Sequence, residues 1–278
     1  MLRFQGTKYP RFFRGFLIGL ASLLFVTALP AQSVSRRKLK KAKNKAIRFL
    51  KLRLSQDDFA FDSGMVLIFL ARKFDLNMGP DFDAFKACMI RELPTAGDDA
   101  DIFLRLYDPT AKVAVGAFDH IEETDTDYLI GKCLHCDDWP DKHLRALIRA
   151  HARRDGYVLT HAAVGFQWAL EHGCLPDDRI TTSLKAYLIR ELGRYIPREG
   201  LNSDQGIEAF AFWLYLHGPT KIPDEWLQKL VANQMKNGAW ALESLEEDGG
   251  DHTAVLGLWC LLECLFPETP AVPWMQPH

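Results

Sequence analysis

A recurring Pro-Asp dipeptide constrains the possible folds of this sequence more than any other feature does. It stands at Pro80-Asp81, Pro140-Asp141, Pro176-Asp177 and Pro223-Asp224, each time just before a stretch with apolar residues at helical spacing. Proline fits the first helical position because no hydrogen bond is lost there, and an acidic residue in the first turn suits the helix dipole. The dipeptide therefore predicts four amphipathic helices that begin in the same way.

Segments of a second kind, apolar on most of their surface, alternate with these helices. They cover residues 160–173, 204–218 and 251–264, with weaker counterparts at 62–76 and 125–136. Trp168, Trp213 and Trp259 recur in them at spacings of 45 and 46 residues. A helix that is apolar all round must be buried, whereas one with a single apolar stripe faces water on its other side.

This alternation at a fixed period indicates stacked helical hairpins. We expect an all-α fold, an α/α toroid or superhelix of five to six hairpins, with the apolar helices inside and the amphipathic ones outside. Five hairpins are readable, and a short sixth is predicted within residues 98–120, where the signals are weaker. The toroid domain is expected to span residues 35–278.

Residues 1–31 have the features of a targeting segment. Four basic residues precede an apolar run over residues 16–29, and the small residues Ala28 and Ala31 offer cleavage points. This pattern predicts a signal peptide and a periplasmic or secreted protein. Seven basic residues within 36–45 resist translocation, so an uncleaved N-terminal membrane anchor is the alternative.

Charge is distributed unevenly along the chain. Fourteen of the 34 Lys and Arg residues precede Asp57 and no Asp or Glu does, so the rest of the chain carries 20 basic against 36 acidic residues, a net charge of −16. An acidic body repels phosphates, and we expect no nucleic-acid partner. Residues 35–54 are predicted to form a basic amphipathic helix, which is also a candidate for contact with anionic lipid.

The six cysteines are an even number, which an oxidising compartment could pair. Burial as small apolar side chains is the simpler interpretation for most of them. The segment Cys133-Leu134-His135-Cys136 has metal-like or redox-like spacing, but the sequence contains no second C-x-x-C to complete a zinc site.

The last repeat carries a recognisable motif, because Gln234, Gly238 and Trp240 form the pattern Q-x-x-x-G-x-W. This motif resembles the repeat of the terpenoid cyclase and protein prenyltransferase superfamily, and residues 251–259 look like the inner helix that follows it there. The resemblance implies an α/α toroid with a central cavity. It does not extend to the chemistry: the D-x-D-D acid motif of the cyclases is absent, and no D-x-C precedes His252-Thr253 as it does in the zinc-binding prenyltransferases.

In such a toroid the N-terminal ends of the inner helices converge on one mouth of the ring, where we expect the functional site. The residues at these positions are Asp62, Asp125 or Asp127, His161, Asp204, Asp251 and His252. Asp and Thr are ordinary helix caps worth about 1 kcal/mol each, but capping does not explain His in two repeats. We predict catalytic roles for His161, His252 and Asp204. His161, His252 and Asp251 are the candidate ligands of a divalent metal such as zinc.

Three functions are compatible with these residues. The first is an exported hydrolase or lyase that acts on a polymer such as a glycan or a peptide. The second is a non-catalytic periplasmic binding scaffold, for which the cavity would be filled by side chains. The third is an isoprenoid cyclase or prenyltransferase, which requires a wide apolar cavity lined by Trp and Phe.

Overall fold

The computed structural model describes residues 34–56, 59–92, 100–107, 111–113, 116–137, 139–219, 222–240 and 250–275. Within these ranges the chain forms helices and no β-strand, so the all-α prediction is confirmed. The predicted targeting segment, residues 1–31, lies outside the described residues. No helix within the described ranges combines the length and apolarity needed to cross a membrane.

Eleven helices are found within the described residues. They are α1 (Arg36–Leu54), α2 (Phe61–Phe74), α3 (Pro80–Glu92), α4 (Leu104–Tyr107), α5 (Thr126–Leu134), α6 (Asp141–His151), α7 (Tyr157–Glu171), α8 (Arg179–Glu199), α9 (Asp204–His217), α10 (Asp224–Asn233) and α11 (Gly250–Leu265). Of the sixth hairpin predicted over residues 98–120, the described residues contain a 3-10 turn at Ala100–Phe103 and the one-turn helix α4.

The two kinds of helix predicted from the sequence are both present. Thirteen of the sixteen residues of α11 are buried, whereas α10 buries only Trp226 and Leu230 among its ten. Helix α1 buries a stripe at three- and four-residue intervals and leaves most of its basic residues in solvent; the stripe consists of Leu39, Ala42, Ala46, Leu50 and Leu54. Burial of this kind, rather than helix propensity, supplies most of the stability of such helices.

The apolar helices pack side by side in a defined order. Helix α5 contacts α7, α7 contacts α9, α9 contacts α11, and α11 contacts α2. The amphipathic helices pack outside this series, with α6 and α8 against α7, and α1 against α11. The first long helix of the domain therefore packs on the last one, and Arg36 donates to the carbonyl of Leu265 over 3.1 Å.

Pro-Asp marks the start of three helices as expected. Pro80 is the first residue of α3, and Pro140 and Pro223 are the N-caps of α6 and α10. At the fourth site the helix begins later, because the side chain of Asp178 caps α8 by accepting from the backbone N–H of Thr181 at 2.8 Å. The carboxylate of an N-cap aspartate accepts a hydrogen bond from a free backbone N–H of the first turn, whereas the side chain of proline has no acceptor.

The Q-x-x-x-G-x-W motif joins the two ends of the domain. The side-chain amide of Gln234 donates to the carbonyls of Ala42 in α1 and of Gly238. Gly238 has a φ of 113°, and a Cβ there would lie 2.3 Å from the carbonyl oxygen of Lys45, so only glycine fits against α1. Trp240 is buried, donates to the carbonyl of Leu230 at 2.7 Å, and packs against α11. These contacts give the motif a structural role.

Candidate functional site

The N-terminal parts of four apolar helices bring ionisable side chains from distant parts of the sequence together. Asp62 belongs to α2, His161 to α7, Asp204 to α9 and His252 to α11. The structure places His161, Asp204 and His252, which the sequence suggested as catalytic, in one cluster with Asp62 and a further acid, Glu208.

Asp204 and His252 form the shortest imidazole–carboxylate contact of this cluster. Nδ1 of His252 donates to Oδ1 of Asp204 at 2.8 Å, and the hydroxyl of Tyr157 donates to the other carboxylate oxygen. Burial by itself raises the pKa of Asp204, but the hydrogen bond and charge of His252 and the hydrogen bond of Tyr157 outweigh it and leave the pKa lowered. The Tyr157 pKa is raised by burial and by Asp204, so its hydroxyl stays protonated.

The imidazole of His252 is held in its charged form by the acids around it. Burial lowers its pKa, but the hydrogen bond and charge of Asp204, and then the charges of Glu208 and Asp62, raise it to about 9. Its Nε2 atom lies 3.9 Å from Oε2 of Glu208 and 3.9 Å from Oδ2 of Asp62. A histidine in this setting is an imidazolium at neutral pH, oriented through Nδ1 by Asp204.

Glu208 is the most buried acid of the cluster, with 2% of its surface exposed. Its Oε1 atom has no hydrogen-bond partner among the described residues and lies 3.6 Å from Nδ1 of His161. Burial raises the Glu208 pKa, against the opposing charges of His161 and His252. A buried carboxyl with a raised pKa is a candidate for acid–base work because its surroundings favour the protonated form more than water does.

His161, the neighbour of Glu208 in the cluster, lies further along its helix than the sequence predicted. Helix α7 begins at Tyr157, three residues before the predicted start, because Gly156 supplies a positive φ of 68° just before the helix. His161 is therefore in the second turn rather than at the cap, and its Nδ1 donates to the carbonyl of Tyr157 at 2.7 Å.

Asp251, suggested by the sequence as a metal ligand, faces α1 instead of the cluster. It is 1% exposed and accepts from Nε of Arg53 at 2.9 Å. Because adjacent helical residues point about 100° apart, Asp251 and His252 cannot both face the mouth. Asp251 therefore forms a structural ion pair with Arg53.

The remaining rim candidates are Asp125 and Asp127. Asp125 caps α5 by accepting from the backbone N–H of Asp127 at 3.0 Å. Neither residue lines the cavity described below.

A cavity of about 230 Å³ opens at the cluster and extends between the apolar helices. Asp62, Tyr157, His161, Glu208 and His252 supply its polar lining, all from the N-terminal parts of their helices. The remaining lining is apolar and comes from α2, α5, α7 and α9, from Phe103 and from Trp274 in the C-terminal tail. An apolar pocket with a few convergent polar groups and perturbed pKa values is the usual form of a ligand or active site.

The cluster also has donors of the kind that bind metal ions. One donor atom each from Asp204, Glu208 and His252 lies within 4.8 Å of the other two. Of the predicted ligands His161, His252 and Asp251, this set contains His252 alone, and Asp204 and Glu208 take the other two places. Imidazole nitrogen and carboxylate oxygen suit zinc and similar divalent ions.

Glu208 is the residue that sequence reasoning missed. It stands four residues after Asp204, so the two share one face of α9. It is also a charged residue inside the apolar run Gly206-Ile207-Glu208-Ala209-Phe210. Because Glu is almost never fully buried without a partner, an isolated acid on an otherwise buried helix was the available signal.

The C-x-x-C segment has a structural arrangement. Cys136 forms a disulfide with Cys174, which joins the ends of α5 and α7 across 38 residues. Cys133 is a free, fully buried thiol whose pKa is raised by burial, so it is not reactive.

Comparisons with protein-family models, with curated proteins and with solved structures find no match to this chain. What defines the class of protein is therefore its own architecture: an all-α domain with an imidazole–carboxylate cluster at the N-terminal ends of its buried helices.

Proposed function

We propose that the domain is an α/α toroid whose mouth holds an acid–base catalytic site for hydrolysis or elimination. The contacts among the buried helices run in one series from α5 through α7, α9 and α11 to α2, which supports the curved arrangement of a toroid. The cavity supports it further, because all five of these helices, α2, α5, α7, α9 and α11, contribute to its lining. The likeness to the terpenoid cyclase and prenyltransferase superfamily concerns this architecture alone.

The single observation that carries the catalytic proposal is the hydrogen bond between Asp204 and His252 at the mouth of an open cavity. Asp204 orients the imidazolium, and Nε2 of His252 gives a proton to the leaving group. Glu208 takes a proton from water or from the carbon next to the leaving group. Two titratable groups whose surroundings perturb their pKa values and which line one cavity provide the acid and the base of one reaction. His161 balances the charge that Glu208 carries when it is ionised.

The open cavity argues against the scaffold hypothesis, for which side chains would fill the centre of the ring. Its volume of about 230 Å³ and its acidic mouth argue against an isoprenoid diphosphate substrate, since carboxylates repel phosphate groups.

The test is a panel of chromogenic esters, glycosides and peptide anilides, assayed with the purified protein. We expect turnover of at least one compound, with a loss of about 100-fold in His252→Ala and in Glu208→Gln. His143→Ala, on the exposed face of α6, is the matched control and should keep full activity. Absence of turnover across the panel, or full activity in His252→Ala, would overturn the proposal.

A metal-assisted form of the same reaction is favoured by the donors of Asp204, Glu208 and His252. A divalent ion such as zinc would activate water in place of the carboxylate base. Metal analysis of the purified protein separates the two forms. One equivalent of zinc that is lost in His252→Ala, together with loss of turnover in chelator, assigns the metal form; unchanged turnover in chelator assigns the metal-free form.

The protein is proposed to be exported, with residues 1–31 as its signal peptide. The disulfide between Cys136 and Cys174 supports an oxidising compartment. The exposed basic face of α1 supports contact with anionic lipid, and the acidic body argues against nucleic acid. The intact mass of the mature protein tests export: loss of about 31 residues supports it, and an intact N-terminus indicates the membrane anchor instead.

A further inference from the structure

The cavity behind the mouth divides into a polar end and an apolar end. Five ionisable or hydroxyl side chains line the mouth, whereas the deeper lining includes Val66, Ile130, Val164, Trp168, Phe212 and Trp274. Burial of apolar ligand surface in such a pocket is favourable, and the polar groups fix which end of the ligand enters first.

The size of the cavity limits its occupant. An apolar cavity of about 150 Å³ holds one benzene molecule, so a cavity of about 230 Å³ has room for about nine heavy atoms. The depth agrees with this limit. His161 at the mouth and Trp168 near the base are seven residues apart on α7, which corresponds to about 10 Å along the helix.

The base of the cavity is formed by the C-terminal tail. Trp274 stacks on Phe69 with ring centroids 4.6 Å apart, and its edge contacts Trp168 at 5.1 Å. Its backbone N–H donates to the hydroxyl of Tyr215 at 3.2 Å, and the carbonyl accepts from Arg72 at 3.0 Å. Because both backbone and ring are held, Trp274 sets the depth of the cavity.

The neighbouring backbone is held as well. The N–H of Met275 donates to Oε2 of Glu171 at 3.0 Å, and Glu171 also accepts from the hydroxyl of Tyr215. The pKa of Glu171 is raised by its burial, against these hydrogen bonds. The tail is therefore part of the folded domain rather than a loose end.

The charge at the mouth selects the head group. Asp62, Asp204 and Glu208 offer three carboxyl groups against the imidazoles of His161 and His252. The charges of Asp204 and His252 are already paired, and Glu208 is buried with an oxygen that lacks a hydrogen-bond partner among the described residues. A neutral head that donates a hydrogen bond fits this surface, whereas an anionic head is repelled.

We infer that the cavity binds a molecule with a linear apolar group of about eight carbons and a neutral polar head, the head lying at the mouth and the chain end against Trp274. As a description of the substrate this rests on the proposed function; as a binding site it does not. Esters or amides of medium-length apolar acids or alcohols are the corresponding substrate class.

The experiment is calorimetric titration of the purified full chain with 1-alkanols of four to twelve carbons. Affinity should rise about fourfold for each added methylene and stop rising near eight carbons, where the chain reaches Trp274. Octanoate, with the same chain and an anionic head, should bind at least about tenfold more weakly than 1-octanol.

Three variants locate the site, and a fourth serves as the control. Val164→Phe fills the cavity and should weaken octanol binding by about tenfold or more, and the milder Val164→Leu should weaken it less. Val231→Phe on α10, outside the cavity, is the control and should bind like the wild type. Trp274→Ala should move the chain-length limit to longer alcohols. Melting curves verify that each variant is folded.

Two results would overturn the inference. The first is an affinity that rises smoothly to twelve carbons and is unchanged in folded Val164→Phe or Val164→Leu. The second is equal binding of octanoate and octanol. Alkanols are not hydrolysed, so their binding is independent of turnover. Octanol binding without turnover would contradict the proposed function and support the binding site. Turnover without octanol binding would support the proposed function and contradict the binding site.

Discussion

The imidazole of His252 donates a hydrogen bond of 2.8 Å to the carboxylate of Asp204, although the two residues are 48 positions apart in the sequence. The pair exists because α9 and α11 are neighbours and present their first turns at the same level. Glu208, one turn further along α9, comes within 3.9 Å of the same imidazole. Two adjacent helices thus supply the polar centre of the mouth.

The first prediction concerns pH. Folding raises the His252 pKa from 6.5 to about 9, so the folded state favours the imidazolium. Its contribution to stability is complete below pH 6.5 and is lost as the pH rises through 9. We expect His252→Gln to cost about 3 kcal/mol at pH 6 and much less at pH 10. Urea unfolding of both proteins at the two pH values measures this.

The acids facing the imidazole set this pKa, so Asp204→Asn should lower it. Asp62 and Glu208 remain in that variant and keep part of the effect. NMR titration of the His252 ring protons gives the value directly. An unchanged pKa in Asp204→Asn would contradict the assignment of the hydrogen bond as a main cause.

The second prediction concerns Glu208. Since burial raises its pKa, the folded state disfavours the ionised form and loses stability as the pH rises above the ordinary value of 4.5. Glu208→Gln removes that charge while keeping the shape, so it should stabilise the protein by about 1 kcal/mol at pH 8 and have little effect at pH 4.5. Chemical unfolding at the two pH values measures the difference. Glu225→Gln, on the exposed surface of α10, is the control; a Glu208→Gln protein that is less stable than wild type at pH 8 would disprove the prediction.

The third prediction compares two ion pairs. Asp251 and Arg53 are 1% and 18% exposed at their side chains, whereas Asp155 and Arg198 are 71% and 59% exposed. Asp251→Asn removes the charge of a buried ion pair while Arg53 keeps its own, so this variant should cost about 3 kcal/mol. Asp155→Asn should cost less than about 1 kcal/mol. Thermal and urea unfolding of both variants measure these values, and equal effects would show that burial is not the deciding difference.

The fourth prediction concerns the disulfide. The bond between Cys136 and Cys174 closes a loop with a sequence separation of 38, and its loss should cost about 3–4 kcal/mol through the entropy of the unfolded chain. The Cys136→Ser/Cys174→Ser double variant tests this in urea. Alkylation under denaturing conditions should label four of the six cysteines before reduction and all six after it, since the disulfide joins Cys136 and Cys174. Six labels without reduction would rule the disulfide out.

Much of the fold was predictable because its signals are local. The N-terminal turns of α3, α6 and α10 followed from Pro-Asp, and the burial of α7, α9 and α11 followed from their nearly continuous apolar composition. The start of α8 was missed by a few residues because the capping side chain of Asp178 competes with the preceding proline signal. Local sequence does not say which of two adjacent capping signals forms the hydrogen bond.

The site was only partly predictable. The equivalent positions of His161, Asp204 and His252 in the repeat predicted that these residues lie near one another. The partners of each side chain did not follow from those positions. Asp251 and His252 are adjacent in sequence, and only the rotation of α11 against α1 decides that Asp251 meets Arg53 while His252 meets Asp204. The rotation of a helix about its own axis depends on how its whole face packs against neighbouring helices, and no single residue determines that packing.

The sequence by itself determined that this chain is all-α, which helices are buried, and where most of them begin, because these properties follow from residue spacing and capping along one helix at a time. The tertiary structure alone decided that Cys136 pairs with Cys174, that Glu208 joins the cluster, and that Trp274 lines the cavity. These are contacts between residues far apart in the sequence, and their geometry is fixed only when the helices pack.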